Sequence, residues 1–378
     1  MSQTEDSEDL QQLPPVLRAS VHDVRHFAAL LRGVNFVNRA TVTITKTGFV
    51  VVVEEARTLL GTAYVFAGVF DEYTYNSELP PAPQNSQNSD TEEEDNAAFE
   101  IELNTLLECL NIFGTAGPST SSMTGGKTGR YKRWKKTGED SDQDDDEDSR
   151  GRGGRGRHSK ENDTSSAKGI DQYFSSNKEK GTGMRMTYAG SGYPLTLLIA
   201  EDAAGPTTKC EIITYEAEPH LQLPFDPDQM VLKIILKSSW LRDALSELDP
   251  SCDKLTFIGN PPPTAATGKR PQLRAGNETP MLRIQAAGTF GSTEMDYPND
   301  REVLETFECT RPVSFSYRFG HISRTLRALQ SSSKTSLRID DEGLMSLQFI
   351  MPGIRPKTEQ DSDAFIEFRC LALDDEIV

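Results

Sequence analysis

Val231-Leu232-Lys233-Ile234-Ile235-Leu236-Lys237-Ser238-Ser239-Trp240-Leu241-Arg242-Asp243-Ala244-Leu245-Ser246-Glu247-Leu248 is the stretch whose reading decides the fold. Val231–Lys237 is a short, β-branched apolar run, which predicts a strand. In Ser239–Leu248, Leu241, Ala244, Leu245 and Leu248 recur at helical spacing, so a strand leads almost directly into an amphipathic helix. Strands are expected next at Lys254–Ile258, Met281–Ala287 and Glu294–Tyr297.

The same order appears on either side. A first helix is expected over Val21–Val34, with Val21, Val24, Ala28 and Leu31 on one face, then strands at Ala40–Thr45, Phe49–Glu54 and Thr62–Tyr75. A second helix is expected over Asn104–Phe113, with Leu103, Leu106, Leu107 and Leu110 inward, then strands at Met184–Tyr188, Leu195–Ala200 and Glu211–Ala217. After the quoted unit come a strand at Val313–Phe319, a helix at Ile322–Leu329, and strands at Ser336–Asp340, Ser346–Met351 and Phe365–Leu373. The pattern predicts an α+β protein of four strand–helix–three-strand units, two in each of two similar domains.

The chain has 378 residues, 36% hydrophobic composition and a formal net charge of −18. Three runs, at Glu5–Asp9, Asp90–Asp95 and Glu139–Asp148, hold 17 of the 58 acidic residues. They lack the apolar content to fold and read as solvated tracts. Once they are set apart, global acidity does not exclude a nucleic-acid partner. The boundaries expected are a disordered acidic tail at 1–15, a first domain over 16–217 with disordered insertions at about 80–96 and 114–183, a connecting loop at 218–229, and a second domain over 230–374. Cys109, Cys210, Cys252, Cys309 and Cys370 are widely spaced, which fits reduced thiols better than a disulfide framework or zinc site. No metal site, cofactor or membrane-spanning segment is expected.

A duplicated unit of this kind resembles the PCNA-like sliding clamps. Ordered stretches resemble one branch, the Rad-one subunit of the nine-one-one DNA-damage checkpoint clamp. They include Val53-Glu54-Glu55-Ala56, Ala67-Gly68-Val69-Phe70, Leu103-Asn104-Thr105-Leu106-Leu107-Glu108-Cys109-Leu110-Asn111-Ile112-Phe113-Gly114, Gly192-Tyr193-Pro194-Leu195, Leu241 to Asp249, and Met295-Asp296-Tyr297-Pro298.

The resemblance implies a DNA-clamp fold with helices inside and sheets outside, and a non-catalytic subunit of a heterotrimeric ring. Its partners would be two other clamp-like subunits, double-stranded DNA through the central hole, an ATP-dependent clamp loader, and checkpoint and repair proteins. The nucleus is the implied location. A sliding ring contacts phosphates and not bases. The implied DNA-facing residues are Arg25, Arg32, Lys237, Arg242, Arg318, Arg324, Arg327 and Lys334, which equally suit ordinary solvated helix faces. Helix two offers only Asn104, Glu108 and Asn111. His22 and His26 read as surface polar residues. Subunit edges are implied at Cys210, Glu211, Ile212, Ile213, Thr214 and Tyr215, and at Ser292, Thr293, Glu294, Met295, Asp296 and Tyr297. A groove for partner peptides is implied at Leu221, Leu223, Met351, Pro352, Leu371 and Ala372.

The long insertion carries three motifs. Lys132-Arg133-Trp134-Lys135-Lys136 suits nuclear import or nucleic-acid contact, and the run Arg152–Arg157 is RGG-like. Ile170, Tyr173 and Phe174 resemble a clamp-binding peptide, although Ala167 stands where its leading Gln is usual. The rival readings are a 3′→5′ exonuclease, which needs carboxylates converging on metal ions, and a homotrimeric replicative clamp. The acids of the core show no ligand spacing.

Overall fold

The computed structural model describes residues 14–77, 96–114, 116, 181–201, 205–262, 280–352 and 364–374. The motifs at 132–136, 152–157 and 170–174, and the acidic runs, lie outside them. Four strand–helix–three-strand units follow one another. The first is β1 (Leu17–Val21), α1 (Val24–Val34), β2 (Arg39–Ile44), β3 (Gly48–Glu55) and β4 (Leu59–Phe66), with β5 (Glu72–Tyr75) appended. The second is β6 (Ala97–Glu102), α2 (Leu103–Leu110), β7 (Gly183–Tyr188), β8 (Leu195–Ala200) and β9 (Thr207–Ile212), with β10 (Tyr215–Glu216) appended. The third is β11 (Met230–Lys237), α3 (Ser238–Ser246), β12 (Cys252–Gly259), β13 (Leu282–Gly288) and β14 (Gly291–Tyr297), with β15 (Leu304–Cys309) appended. The fourth is β16 (Val313–Arg318), the short helices α4 (Phe319–Arg324) and α5 (Leu326–Ser331), β17 (Lys334–Asp340), β18 (Met345–Ile350) and β19 (Phe365–Cys370).

The first strand of each unit joins the three strands of its neighbour. β1 lies beside β7-β8-β9 and β6 beside β2-β3-β4; likewise β16 lies beside β12-β13-β14 and β11 beside β17-β18-β19. The appended strands β5, β10 and β15 each extend a sheet past β1, β6 and β11. β4 then pairs antiparallel with β19, from Phe365 opposite Tyr64 to Cys370 opposite Leu59. That seam makes a ten-stranded sheet from strands of both chain halves, β10-β6-β2-β3-β4-β19-β18-β17-β11-β15.

The core is continuous across the seam. Phe27 packs on Phe49 and Phe70, and Phe36 of the first half meets Phe368 of the second with ring centroids 5.9 Å apart. Contacts order the helices as a row, α2-α1-α5-α3. Their apolar stripes point to the sheets: Val24, Phe27, Leu30, Leu31 and Val34 on α1, and Leu103, Leu106, Leu107 and Leu110 on α2, are buried.

The expected fourth helix is broken at Thr325. Its hydroxyl and its amide both donate to the Ile322 carbonyl, at 2.7 and 3.0 Å, which tightens the turn and ends α4. The expected strand Thr62–Tyr75 is two strands parted by a 3-10 turn at Ala67–Val69.

Candidate nucleic-acid interface and subunit edges

Opposite its buried stripe, α1 carries Arg25, His26, Ala29 and Arg32. Asp23 caps the helix, accepting the Arg25 amide at 2.9 Å. The same carboxylate holds the Arg25 guanidinium, with Nη2 2.7 Å from Oδ2. Burial pushes the Asp23 carboxyl up, but the Arg25 side chain and amide outweigh it and its pKa falls below the usual value. α2 presents Asn104 and Glu108, and α3 presents Trp240 and Asp243.

Most of the predicted DNA-facing cations already have partners. Arg242 pairs with Asp243 at 2.8 Å, Lys334 with Glu305 at 2.7 Å, and Arg324 with Glu55 at 2.9 Å. Arg327 donates to the Asn35 carbonyl at 2.8 Å. Lys237 and Arg318 are exposed. Arg32 is half-buried, and burial lowers its pKa without discharging a guanidinium. Among the described residues no carboxylate forms an ion pair with Arg32, Lys237 or Arg318. His22, which precedes the capping Asp23, has Nδ1 3.0 Å from Asp71.

Between α1, α2 and α5 lies a recess of ≈ 260 Å³ lined by Arg32, Asn35, Asn104, Glu108, Asn111 and Arg327. The Asn35 amide donates to the Asn104 side-chain carbonyl at 2.8 Å, and Asn38 accepts the Asn104 backbone amide at 2.8 Å. Oδ1 of Asn111 is buried with no hydrogen-bond partner. The charge pattern along the sequence marks Arg32 and Arg327 but not the three asparagines that complete this recess.

The third strands of the four units have two different fates. β4 and β19 pair with each other, whereas β9 and β14 end their sheets. Of the edge expected at 210–215, Cys210–Ile212 end β9. Ile213 and Thr214 fall between strands, and Tyr215 belongs to β10, which pairs with β6 at the far end of the ten-stranded sheet. The second edge, Ser292–Tyr297, lies in β14. Arg283 of β13 ties down its outer charges, reaching Asp296 at 2.6 Å and Glu294 at 2.8 Å. Ile213, Tyr193 and Leu198 beside β9 and Phe290 before β14 are large apolar side chains left exposed.

The loop at 218–229 is strapped across the ten-stranded sheet. Glu54 accepts the Leu221 amide at 2.6 Å, and Arg369 donates to the Leu223 carbonyl at 2.7 Å. The Arg338 guanidinium lies 5.1 Å from the centre of the Phe225 ring. Leu223 is buried with Val52, Leu60 and Leu344, with Leu221 and Phe225 against them. Beneath, the buried Glu367 carboxylate is shared by Arg369 at 3.0 Å and Arg338 at 3.6 Å. Leu221 and Leu223 therefore seal the loop to the sheet. Met351 is a correction: only 1% exposed, it belongs to the core and not to a surface groove. Pro352 and Leu371 are exposed and Ala372 is half-buried. Phe225, which the spacing of the loop leucines did not single out, is the aromatic third member of this patch.

Buried Cys370 and His321 are 3.6 Å apart, Sγ to Nδ1, and Nε2 of His321 is 3.4 Å from the Thr58 hydroxyl. Burial pushes the Cys370 thiol up to about 12, so it is a neutral packing group at ordinary pH and not a nucleophile. Among the described residues no three His, Cys, Asp or Glu side chains are grouped to hold a metal ion.

Residues 16–351 match the family described as "Repair protein Rad1/Rec1/Rad17". "DNA repair exonuclease REC1" of Mycosarcoma maydis is 28% identical over 95% of this chain and 96% of that protein. "Cell cycle checkpoint protein RAD1" of Homo sapiens is 27% identical over 94% of this chain and 90% of that protein. "DNA damage checkpoint control protein rad1" of Schizosaccharomyces pombe is 32% identical over 52% of this chain and 54% of that protein. Among solved structures, Proliferating Cellular Nuclear Antigen from Entamoeba histolytica superposes with a TM-score of 0.56 at 10% identity, covering 95% of this chain and all of that one. The likeness in structure gives the clamp fold that the swapped first strands and the row of helices already describe. With a match that spans three units and reaches through β18 of the fourth, the chain belongs to the Rad1/Rec1/Rad17 family of repair proteins.

Proposed function

We propose that the chain is one subunit of a heterotrimeric DNA-damage checkpoint clamp, which encircles duplex DNA in the nucleus and recruits checkpoint and repair factors. The observation that carries this is the unequal fate of the third strands. β4 and β19 already form an antiparallel joint inside the chain, while β9 and β14, their counterparts in the middle units, end their sheets. Edge strands with unpaired backbone groups invite a partner. A joint of the β4–β19 kind between β9 of one subunit and β14 of the next closes a head-to-tail ring. Domain boundaries at 16–217 and 230–374 follow from this reading. The row α2-α1-α5-α3 then faces the duplex, loading is the work of an ATP-dependent clamp loader, and partner peptides are taken by the strapped loop together with Leu371, Ala372 and Pro352.

The test is co-expression with two clamp-like partner subunits, followed by sizing and imaging. A three-subunit ring is expected, with the isolated chain monomeric. Prolines are placed singly at Cys210 and Glu211 in β9, and at Thr293 and Glu294 in β14. In each neighbouring pair one N–H faces the free side, and the proline there should abolish assembly while leaving the chain folded. Rings that assemble regardless of all four prolines would sink the edge assignment. A stable self-trimer would favour the replicative reading instead.

The name of the Mycosarcoma maydis relative favours a second reading, a 3′→5′ exonuclease. It requires nucleotide release by pure protein in Mg²⁺, lost on substitution of a single carboxylate.

A further inference from the structure

The five cysteines are far apart in the sequence, yet packing brings two of them together. Cys109 lies on α2, three residues after the buried Leu106 and one before the buried Leu110, so it stands at the border of the apolar stripe. Along β9 the side chains alternate. Lys209 and Glu211 are exposed and pair with each other at 2.6 Å, while Cys210 points to the opposite face. Cys210 sits across from the fully buried Leu197 of β8, and α2 packs directly against β9. The two thiols are immediate neighbours at that contact, and both pack against the main core. Each is half-buried, within reach of a small solute, whereas Cys370 is sealed in. Cys309 and Cys370 have partners of another kind, the Arg311 carbonyl at 2.9 Å and the His321 ring. Burial, the Cys210 thiol and Glu108 push Cys109 up to about 11, so it rests as a neutral thiol at ordinary pH.

We propose that Cys109 and Cys210 are a redox site: a hydroperoxide converts them to a disulfide, which pins the edge strand β9 to α2. Cys210, on the outermost strand of its sheet, attacks the terminal peroxide oxygen. The O–O bond breaks, the sulfur becomes a sulfenic acid, and the alcohol leaves carrying the Cys210 proton. The Cys109 sulfur then displaces the hydroxyl, which takes the Cys109 proton and departs as water. Two electrons pass from the sulfurs to the peroxide, and the products are one disulfide, one alcohol and one water. A dithiol reverses the bond by exchange. The bond closes the chain between 109 and 210 into a loop, which restrains the unfolded state. It also fixes a strand that otherwise has a neighbour on one side only. The site does not depend on the clamp reading.

In the experiment the full chain is treated with hydrogen peroxide, quenched with a thiol-alkylating reagent and mapped by mass spectrometry without reduction. Two of the five thiols should be lost, with Cys109 and Cys210 joined in one cross-linked peptide, and dithiothreitol should restore all five. Cys109→Ser or Cys210→Ser should abolish the cross-link, whereas Cys309→Ser should keep it. The oxidised wild type should melt about 5 °C above the reduced protein. Amide exchange in β9 should slow about tenfold on oxidation, and neither change should occur in Cys210→Ser. Melts of the reduced variants check that they fold, and if a serine variant does not, the wild-type cross-link map decides alone. Both thiols still free after peroxide, Cys210 stopping at a sulfinic acid beside a free Cys109, or a cross-link between two chains would overturn the proposal. A 109–210 bond that leaves exchange in β9 unchanged would overturn the pinning.

Discussion

Arg324 of α4 gives two guanidinium nitrogens to Glu55 at the end of β3, with Nη2 at 2.9 Å from Oε1 and Nε at 3.2 Å from Oε2. The pair links the fourth unit to the first across the seam. A side chain that the sequence suggests for DNA thus serves to join the two chain halves. Arg324→Gln should leave duplex affinity close to wild type. Because Arg324 is half-exposed, the stability lost should be small, about 0.5 kcal/mol. Urea titration measures that loss, and a loss of several kcal/mol would contradict it.

Asp23→Ala removes both the cap of α1 and the partner of Arg25. A cost of about 1 kcal/mol is expected in chemical denaturation. The sign of its pH dependence follows from the carboxyl's depressed pKa. Stability from this group is fully present above the unfolded value of about 4 and drains away as pH falls through the lower folded value. Between pH 5 and pH 3 the wild type should lose more stability than the variant.

His321 is buried, and burial pushes its pKa down, helped by Arg318 and Arg324 and opposed by Glu55. The unfolded chain then binds the proton more readily than the folded one below about pH 6.5. Stability is therefore complete above that value and falls as pH drops toward the folded pKa. Thermal melts from pH 7.5 to 5.5 should show this decline, and His321→Gln should lessen it.

Gly343 has a left-handed backbone, φ +85, and a β-carbon there would lie 2.7 Å from a ring atom of Phe315 and 3.0 Å from Ala372. Its carbonyl accepts the buried Tyr317 hydroxyl at 2.9 Å, while Asp340 braces the turn by accepting the Leu344 amide at 2.8 Å. Gly343→Ala should cost about 1–3 kcal/mol. The loss should be read by urea midpoint, with ring assembly tested separately.

Leu223→Ala should loosen the strapped loop and little else. Hydrogen exchange at Leu221 and Leu223 is expected to accelerate, while amides in β17 and β18 keep their protection. Equal acceleration throughout the sheet would show that the loop is integral to global stability.

The strands and helices most legible in the sequence were those with a clean period. The apolar run of β11 flowing into the leucines of α3 marks the third unit, whereas α1 and α2 are legible from their apolar spacing alone, without the strands β1 and β6 that lead into them. β6 was missed because Ala97–Glu102 places a buried glutamate, Glu100, among its apolar residues. That carboxylate is satisfied by Arg39 at 2.7 Å, a partner distant in sequence. β15, with Glu305 and Glu308 along it, was missed for a similar reason: they pair with Lys334 and Lys233 across the sheet. At the candidate interface, the basic residues could be read from the sequence, but the distant partners that neutralise Arg324 and Lys334 could not. Glu55, Glu305 and the recess asparagines become neighbours only through packing. Met351 is a groove residue only by the resemblance; its amide bonds to the Ala364 carbonyl at 3.1 Å and its side chain turns inward.

The β4–β19 seam has a mechanical meaning. Six residue pairs, from Tyr64–Phe365 to Leu59–Cys370, would have to part together before the two chain halves could hinge. With Phe36 and Phe368 packed behind it, the middle of the chain is a stiff girder. Force prying open a ring of such pieces would bend no single subunit at its waist. The torque would pass to the joints between subunits, so that the gap appears where one protein ends and the next begins.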